Sequence, residues 1–184
     1  MMNRRQREDV LVRRAVTVET IPSGQPLELQ AGQLAQITQA LGSSFTLVVD
    51  GQLVRLKGAD ADAIGKEPPE SIAIPQDVTT DDVKPLIWQT LRTCYDPEIP
   101  VNIADLGLVY RLAFEPLDDP DQVRVVIDMT LTAPGCGMGE SIANEVCDKV
   151  LALPRVGEIT VNLVFDPPWD RSMMSEAAQL ALGL

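Results

Sequence analysis

The stretch Thr132-Ala133-Pro134-Gly135-Cys136-Gly137-Met138-Gly139 is the one place in the chain where a reactive side chain stands in a backbone suited to present it. Three glycines and a proline surround a single cysteine. An alternating apolar run ends just before this stretch, and an amphipathic helical pattern begins just after it. The spacing predicts a tight strand-to-helix loop, in which glycine permits unusual backbone angles and leaves the sulfur uncovered. Backbone N–H groups and the positive end of the following helix dipole favour an anion at such a spot, a thiolate included, although Glu140 opposes the effect. Cys136 is the candidate functional thiol.

Its chemistry is bounded by what the chain lacks. Histidine is absent, which removes imidazole general-base catalysis, Ser-His-Asp and Cys-His systems and His-containing zinc sites. Phosphate binding fits poorly, because Gly135, Gly137 and Gly139 do not carry the dinucleotide spacing and Glu140 stands where a phosphate loop needs lysine. Covalent catalysis by Cys136 is one alternative. Asp96, Glu98 and Asp105 could converge on the loop, but a nearby carboxylate raises a thiol pKa instead of lowering it. Cluster ligation is another reading. Iron–sulfur clusters ordinarily need four protein ligands, whereas Cys94 and Cys147 fall on apolar helical faces and read as core residues. A cluster on Cys136 would be shared between chains or completed by a client, and so labile; lability suits transfer. A purely structural interaction module is the third alternative. With no phosphate loop and no complete catalytic constellation, the expectation is a non-enzyme with no permanently bound cofactor.

The elements that must position this loop follow from pattern and charge. The chain has 184 residues, 45% hydrophobic, with a formal net charge of −12, enough for one full domain and a smaller one. Five arginines against Glu8 and Asp9 make residues 1–14 basic, about +3, and leave the remainder about −15; this segment is expected to be a disordered, solvated tail. The acidic body and 4% aromatic content argue against nucleic acid as a partner. No run of about 18 apolar residues or signal-peptide pattern is present, so neither a membrane partner nor export is expected. Three unpaired cysteines fit a reducing, cytoplasmic compartment.

Residues 15–65 read as a small β-rich module. Its clearest signal is Asp50-Gly51 between two β-prone runs, which predicts a two-residue hairpin. Prolines 68, 69 and 75 mark 66–78 as a linker. Residues 79–170 then alternate helix, strand, strand, helix, strand. Thr79 or Thr80 with Asp81 and Asp82 starts the first helix, whose face is Val83, Leu86, Ile87, Thr90, Leu91 and Cys94, with Pro85 tolerable only in the first turn. Strands follow at 108–114 and from Val123 to Met129, and a helix whose stripe is Ile142, Ala143, Val146, Cys147, Val150 and Leu151 comes next. The last strand carries Ile159, Val161, Leu163 and Phe165 on one face. The fold class is α+β: a small β-rich N-terminal module and a two-layer α-β-β-α-β domain with a small mixed sheet. Residues 171–184 form a helical tail.

Four motifs, in order, carry a resemblance: Asp96-Pro97-Glu98, Asp105-Leu106-Gly107-Leu108-Val109-Tyr110, Leu131-Thr132-Ala133-Pro134-Gly135-Cys136 and Asp166-Pro167-Pro168-Trp169. The chain resembles the metal–sulfur cluster maturation domain shared by SufT-type and PaaD-type maturation proteins and eukaryotic cytosolic iron–sulfur targeting subunits. The Asp50-Gly51 module and the tail Met174-Ser175-Glu176-Ala177-Ala178 extend the likeness toward the SufT type, over nearly the whole chain. The resemblance implies an auxiliary role in iron–sulfur protein maturation, as carrier or targeting adaptor, with Cys136 as the working thiol and transient cluster ligand. Asp96, Glu98 and Asp105 fall on the family's acidic motif, and Thr130, Thr132, Gly135 and Gly137 support the loop. Asp166 and Trp169 belong to the tail motif, where Trp169 either packs beside the cysteine loop or closes the core. The partners implied are the assembly machinery and apoprotein clients. A homodimer is compatible with the sequence, since two loop cysteines could share one cluster, but no heptad seam specifies it.

Overall fold

The structure, a computed structural model, describes residues 7–69, 72–135 and 137–184. Two compact units divide the chain: Met1–Ser71 with Pro97–Pro100, and Ile72–Asp96 with Val101–Leu184.

In the first unit short alternating runs become the strands β1 (Glu8–Leu11), β2 (Val16–Thr20), β3 (Pro26–Leu29), β4 (Leu34–Leu41), β5 (Ser44–Val49) and β6 (Gln52–Lys57). They form one sheet in the order β1-β4-β5-β6-β2-β3, with antiparallel pairing throughout. Asp50 and Gly51 join β5 to β6 with φ of 50° and 79°. Positive φ at both central residues is the two-residue turn whose twist matches the flanking strands. One face buries Val16, Val18, Leu29, Leu47, Val54 and Leu56, closed by Ala61 and Ile64 of the short helical segment Gly58–Ile64.

The basic segment 1–14 does not behave as a disordered tail where it is described. Glu8–Leu11 pairs with β4, Val12 is buried, and Val10 packs against the core. The charges find local partners: Arg14 binds Asp60 at 2.9 Å and Asp62 at 2.7 Å, and Lys66 binds Glu8 at 2.7 Å. The Val10-x-Val12 alternation outweighs the arginines around it. Residues 1–6 lie outside the described residues.

The second unit has α1 (Thr80–Leu91), β7 (Val109–Pro116), β8 (Val123–Met129), α2 (Gly139–Leu151), β9 (Val156–Leu163) and α3 (Glu176–Leu182). Its small sheet is mixed: the order is β7-β8-β9, with β7 antiparallel and β9 parallel to the central β8. Val125, Ile127 and Met129 of β8 are buried together with Val83, Ile87 and Leu91 of α1 and with Ile142, Val146 and Val150 of α2. This is the expected α+β layering.

Four details depart from the sequence pattern. Phe165, expected on the face of the last strand, lies beyond the end of β9 and is 46% exposed. Pro85 is the sixth residue of α1, past the first turn, where it removes the hydrogen bond to Asp81. The buried stripe of α2 is narrower than expected, with Leu151 exposed and Cys147 only half-buried. In β7 a register shift between Val109 and Arg111 makes Tyr110 the extra residue of a bulge, and Phe114 ends up 37% exposed. The other face of the sheet carries two rows of polar side chains. Arg124 of β8 reaches Glu115 of β7 at 3.3 Å and Glu158 of β9 at 2.6 Å. Asp128 of β8 meets Arg111 at 3.6 Å and the Asn162 amide at 2.8 Å. Among the described residues no helix is long and apolar enough to cross a membrane.

Candidate functional site

Strand directions decide where the motifs meet. Because β8 is antiparallel to β7 and parallel to β9, the start of β7, the end of β8 and the end of β9 share one end of the sheet. Backbone bonds fasten the three there: Thr130 N–H donates to Leu108 O at 2.8 Å, and Val164 N–H to Met129 O at 2.8 Å. The Asp105-Leu106-Gly107 turn, the loop leading to Cys136 and the Asp166–Trp169 segment all emerge from that end.

The cysteine loop leaves β8 through buried Thr130 and Leu131 and half-buried Thr132. Ala133, Pro134, Gly135 and Gly137 are exposed. Gly135 has φ of 79°, in the left-handed region that favours glycine, and nothing lies within 4 Å of where a Cβ would stand. Cys136 itself lies outside the described residues. Met138 then turns back into the core, fully buried, and Gly139 opens α2 so close to Leu131 that an added Cβ would come within 2.5 Å of its Cδ1. The loop is thus anchored at Leu131 and Met138, with Ala133, Pro134, Gly135 and Gly137 exposed among its described residues. Among the described residues no side chain caps α2, and Glu140 sits in its first turn.

The acidic motif is held by a small knot of backbone. Tyr95 and Asn102 form an isolated antiparallel bridge, Asp96 N–H donates to Val101 O at 3.2 Å, and Ile103 N–H donates to Cys94 O at 2.9 Å. Asp96 is buried and Glu98 exposed; the Pro97–Pro100 segment that carries Glu98 groups with the first unit. Asn102, which the motif reading passes over, fixes Asp105: its side-chain oxygen accepts the Asp105 N–H at 2.9 Å and its amide donates to Asp105 Oδ2 at 2.7 Å. The Asn-x-x-Asp spacing is the available signal, since Asx side chains bond backbone a few residues on.

The tail motif lies over the same turn. The Trp169 indole N–H donates to Leu106 O at 2.7 Å, and Ser175 N–H donates to Asp105 O at 2.8 Å. The Tyr110 hydroxyl bonds Pro167 O at 2.8 Å. Gly107, at φ of 74°, has the Met173 carbonyl oxygen where a side chain would start. Asp166 is exposed and Trp169 half-buried. The structure therefore brings Asp105, Thr130 and Trp169 together around the 105–108 turn.

Cys94 is fully buried, as expected, although it lies beyond the end of α1 at Leu91 and not on the face of that helix. Cys147 is not in the core: Val146 and Val150 take the inward positions of α2 and leave it at the edge, where burial, and then Asp148, push its thiol pKa up. Among the described residues no group of three or more Cys, Asp or Glu side chains is arranged to hold a metal.

Comparison with known proteins places this arrangement. Residues 85–161 match the family described as "Iron-sulfur cluster assembly protein". An "Fe-S protein maturation auxiliary factor" of Porphyromonas gingivalis is 44% identical over 97 residues, 53% of this chain and 88% of that protein. "Fe-S protein maturation auxiliary factor SufT" of Staphylococcus aureus is 39% identical over 89 residues, 48% and 96% of the two chains. "Fe-S protein maturation auxiliary factor YitW" of Bacillus subtilis is 38% identical over 102 residues, 55% and 95%. In these relatives the likeness takes in about half of this chain, less than the near-whole span expected, while covering nearly all of theirs. With relatives this similar matched over almost their full length, and with the four motifs in order, the chain belongs to the iron–sulfur cluster assembly protein family of SufT-type maturation factors.

Proposed function

We propose that the protein is an auxiliary factor in the maturation of iron–sulfur proteins, acting without catalysis of its own as a carrier or targeting adaptor for which Cys136 is the exchange thiol. The cluster is cargo in this reading. A single thiolate donates one ligand, and the client or a second copy supplies the others, so the bond is made and released by ligand exchange. The observation that carries the reading is the loop itself: its two ends are buried at Leu131 and Met138, while Gly135 and Gly137 on either side of Cys136 are exposed. A bound cluster and a client cysteine need approach from outside, and glycine flanks leave that approach clear. The names of the relatives support the pathway. The absence of histidine supports carriage over covalent catalysis.

The test is oxygen-free transfer of a cluster to an apoprotein client, followed by client activity, with the unaltered chain and with Cys136→Ser. The variant is expected to lower the transfer rate at least about tenfold, equivalent to 1.4 kcal/mol. Equal transfer by the two proteins would overturn the role of the thiol.

A further inference from the structure

We propose that Tyr110 and Trp169 are positioning residues for the cysteine loop, acting by pinning the 166–175 segment across the 105–108 turn. The inference rests on the reading of Cys136 as the working thiol.

Tyr110 is the extra residue of the β7 bulge. Alternation would set it beside Leu112 and Phe114, but bulges re-aim a side chain and are over-represented next to functional sites. Its hydroxyl lies 2.8 Å from Pro167 O and 3.5 Å from Met173 Sδ. A phenol has one proton, and the shorter, harder acceptor takes it, so the bond goes to the carbonyl and the sulfur packs alongside. Two residues on, the Trp169 indole N–H is spent on Leu106 O at 2.7 Å. Ser175 N–H closes the far end on Asp105 O at 2.8 Å. Between these bonds the Met173 carbonyl lies against Gly107, at the one place where only the lack of a side chain admits it.

The segment is therefore a strap fastened at two points on the turn, Asp105 and Leu106, and at a third on β7, Tyr110. That turn is directly bonded to the cysteine loop: Leu108 O accepts the N–H of Thr130, the last buried polar residue before the loop opens. The path from Trp169 to the loop runs through Leu106, two peptide units to Leu108, and one hydrogen bond. Neither aromatic ring need touch the thiol. They fix the height and direction at which the chain leaves β8.

Tyr110→Phe and Trp169→Phe each remove one hydrogen-bonding group and keep a ring. In the full-length chain both are expected to speed hydrogen exchange at the Thr130 and Ser175 amides. Both are also expected to change the Cys136 alkylation rate by about two- to tenfold, the range spanned by the net worth of one hydrogen bond, and to displace its pH profile, while the circular dichroism spectrum is retained. Alkylation profiles that superimpose on the parent, with unchanged exchange at Thr130, overturn the proposal. In the unaltered chain, nitrogen–proton NMR should show a slowly exchanging Trp169 indole N–H, and fast exchange there overturns it whatever the variants do. These readouts are independent of client transfer. A chain whose Cys136→Ser variant still transfers cluster refutes the functional reading, whereas a chain whose alkylation ignores the strap refutes this one.

Discussion

Glycine plays two different parts around the cysteine, and substitution separates them. Gly135 has φ of 79° and open space where a Cβ would stand, whereas Gly107 has φ of 74° and the Met173 carbonyl in that space. Alanine at 135 therefore meets only the left-handed conformational cost, about 1–2 kcal/mol. Alanine at 107 meets the same cost and must also push backbone aside, which adds about 1–3 kcal/mol by the scale of overpacking. Urea denaturation of Gly135→Ala and Gly107→Ala checks this, and equal midpoints would mean that Met173 yields without cost. Residue identity made the surface turn legible, because Pro134, Gly135 and Gly137 are residues that mark an exposed loop, and all three are exposed. It hid Asn102 and Tyr110, since their partners are set by a turn and by a strand bulge, and neither has a composition signal.

At the scale of elements, α1 shows how a helix start becomes pH-sensitive. The Thr79 hydroxyl and N–H both donate to Asp82 Oδ2, at 2.6 and 2.9 Å, and these bonds hold the Asp82 carboxyl below its ordinary 3.8. A folded-state pKa depressed below the unfolded value stabilises the fold above the unfolded value and loses that contribution as pH falls through the folded one. Thr79→Val should therefore melt below the parent at neutral pH, and the gap should close as pH drops below 3.8. Melting temperatures over a pH series read this out, and a gap that does not depend on pH would place the effect elsewhere. This helix was legible from its cap and its buried face because both are local. The first strand was not: in Glu8–Leu11 charge dominates the composition, and only pairing with β4, from Leu11 with Leu34 to Glu8 with Ile37, turns Val10 and Val12 inward. Cys147 failed for a related reason, because the width of a buried stripe depends on what packs against the helix and not on its period.

For the whole molecule the division into two units has a direct consequence. Relatives matched over 88–96% of their own length cover about half of this chain, and Ile72–Asp96 with Val101–Leu184 is a unit with its own buried layer. A fragment spanning residues 72–184 should therefore fold by itself, with a cooperative thermal transition and native-like circular dichroism; a featureless melt would show that it needs the first unit. The two rows of polar side chains on the small sheet bear on its life in a crowded solution. A three-stranded sheet with edges at β7 and β9 is otherwise a template on which further strands or sheets could stack. Here a copy approaching that face must disrupt Glu115–Arg124–Glu158 and Arg111–Asp128–Asn162 and desolvate their charges. The cost of breaking those pairs disfavours face-to-face stacking of copies on this sheet.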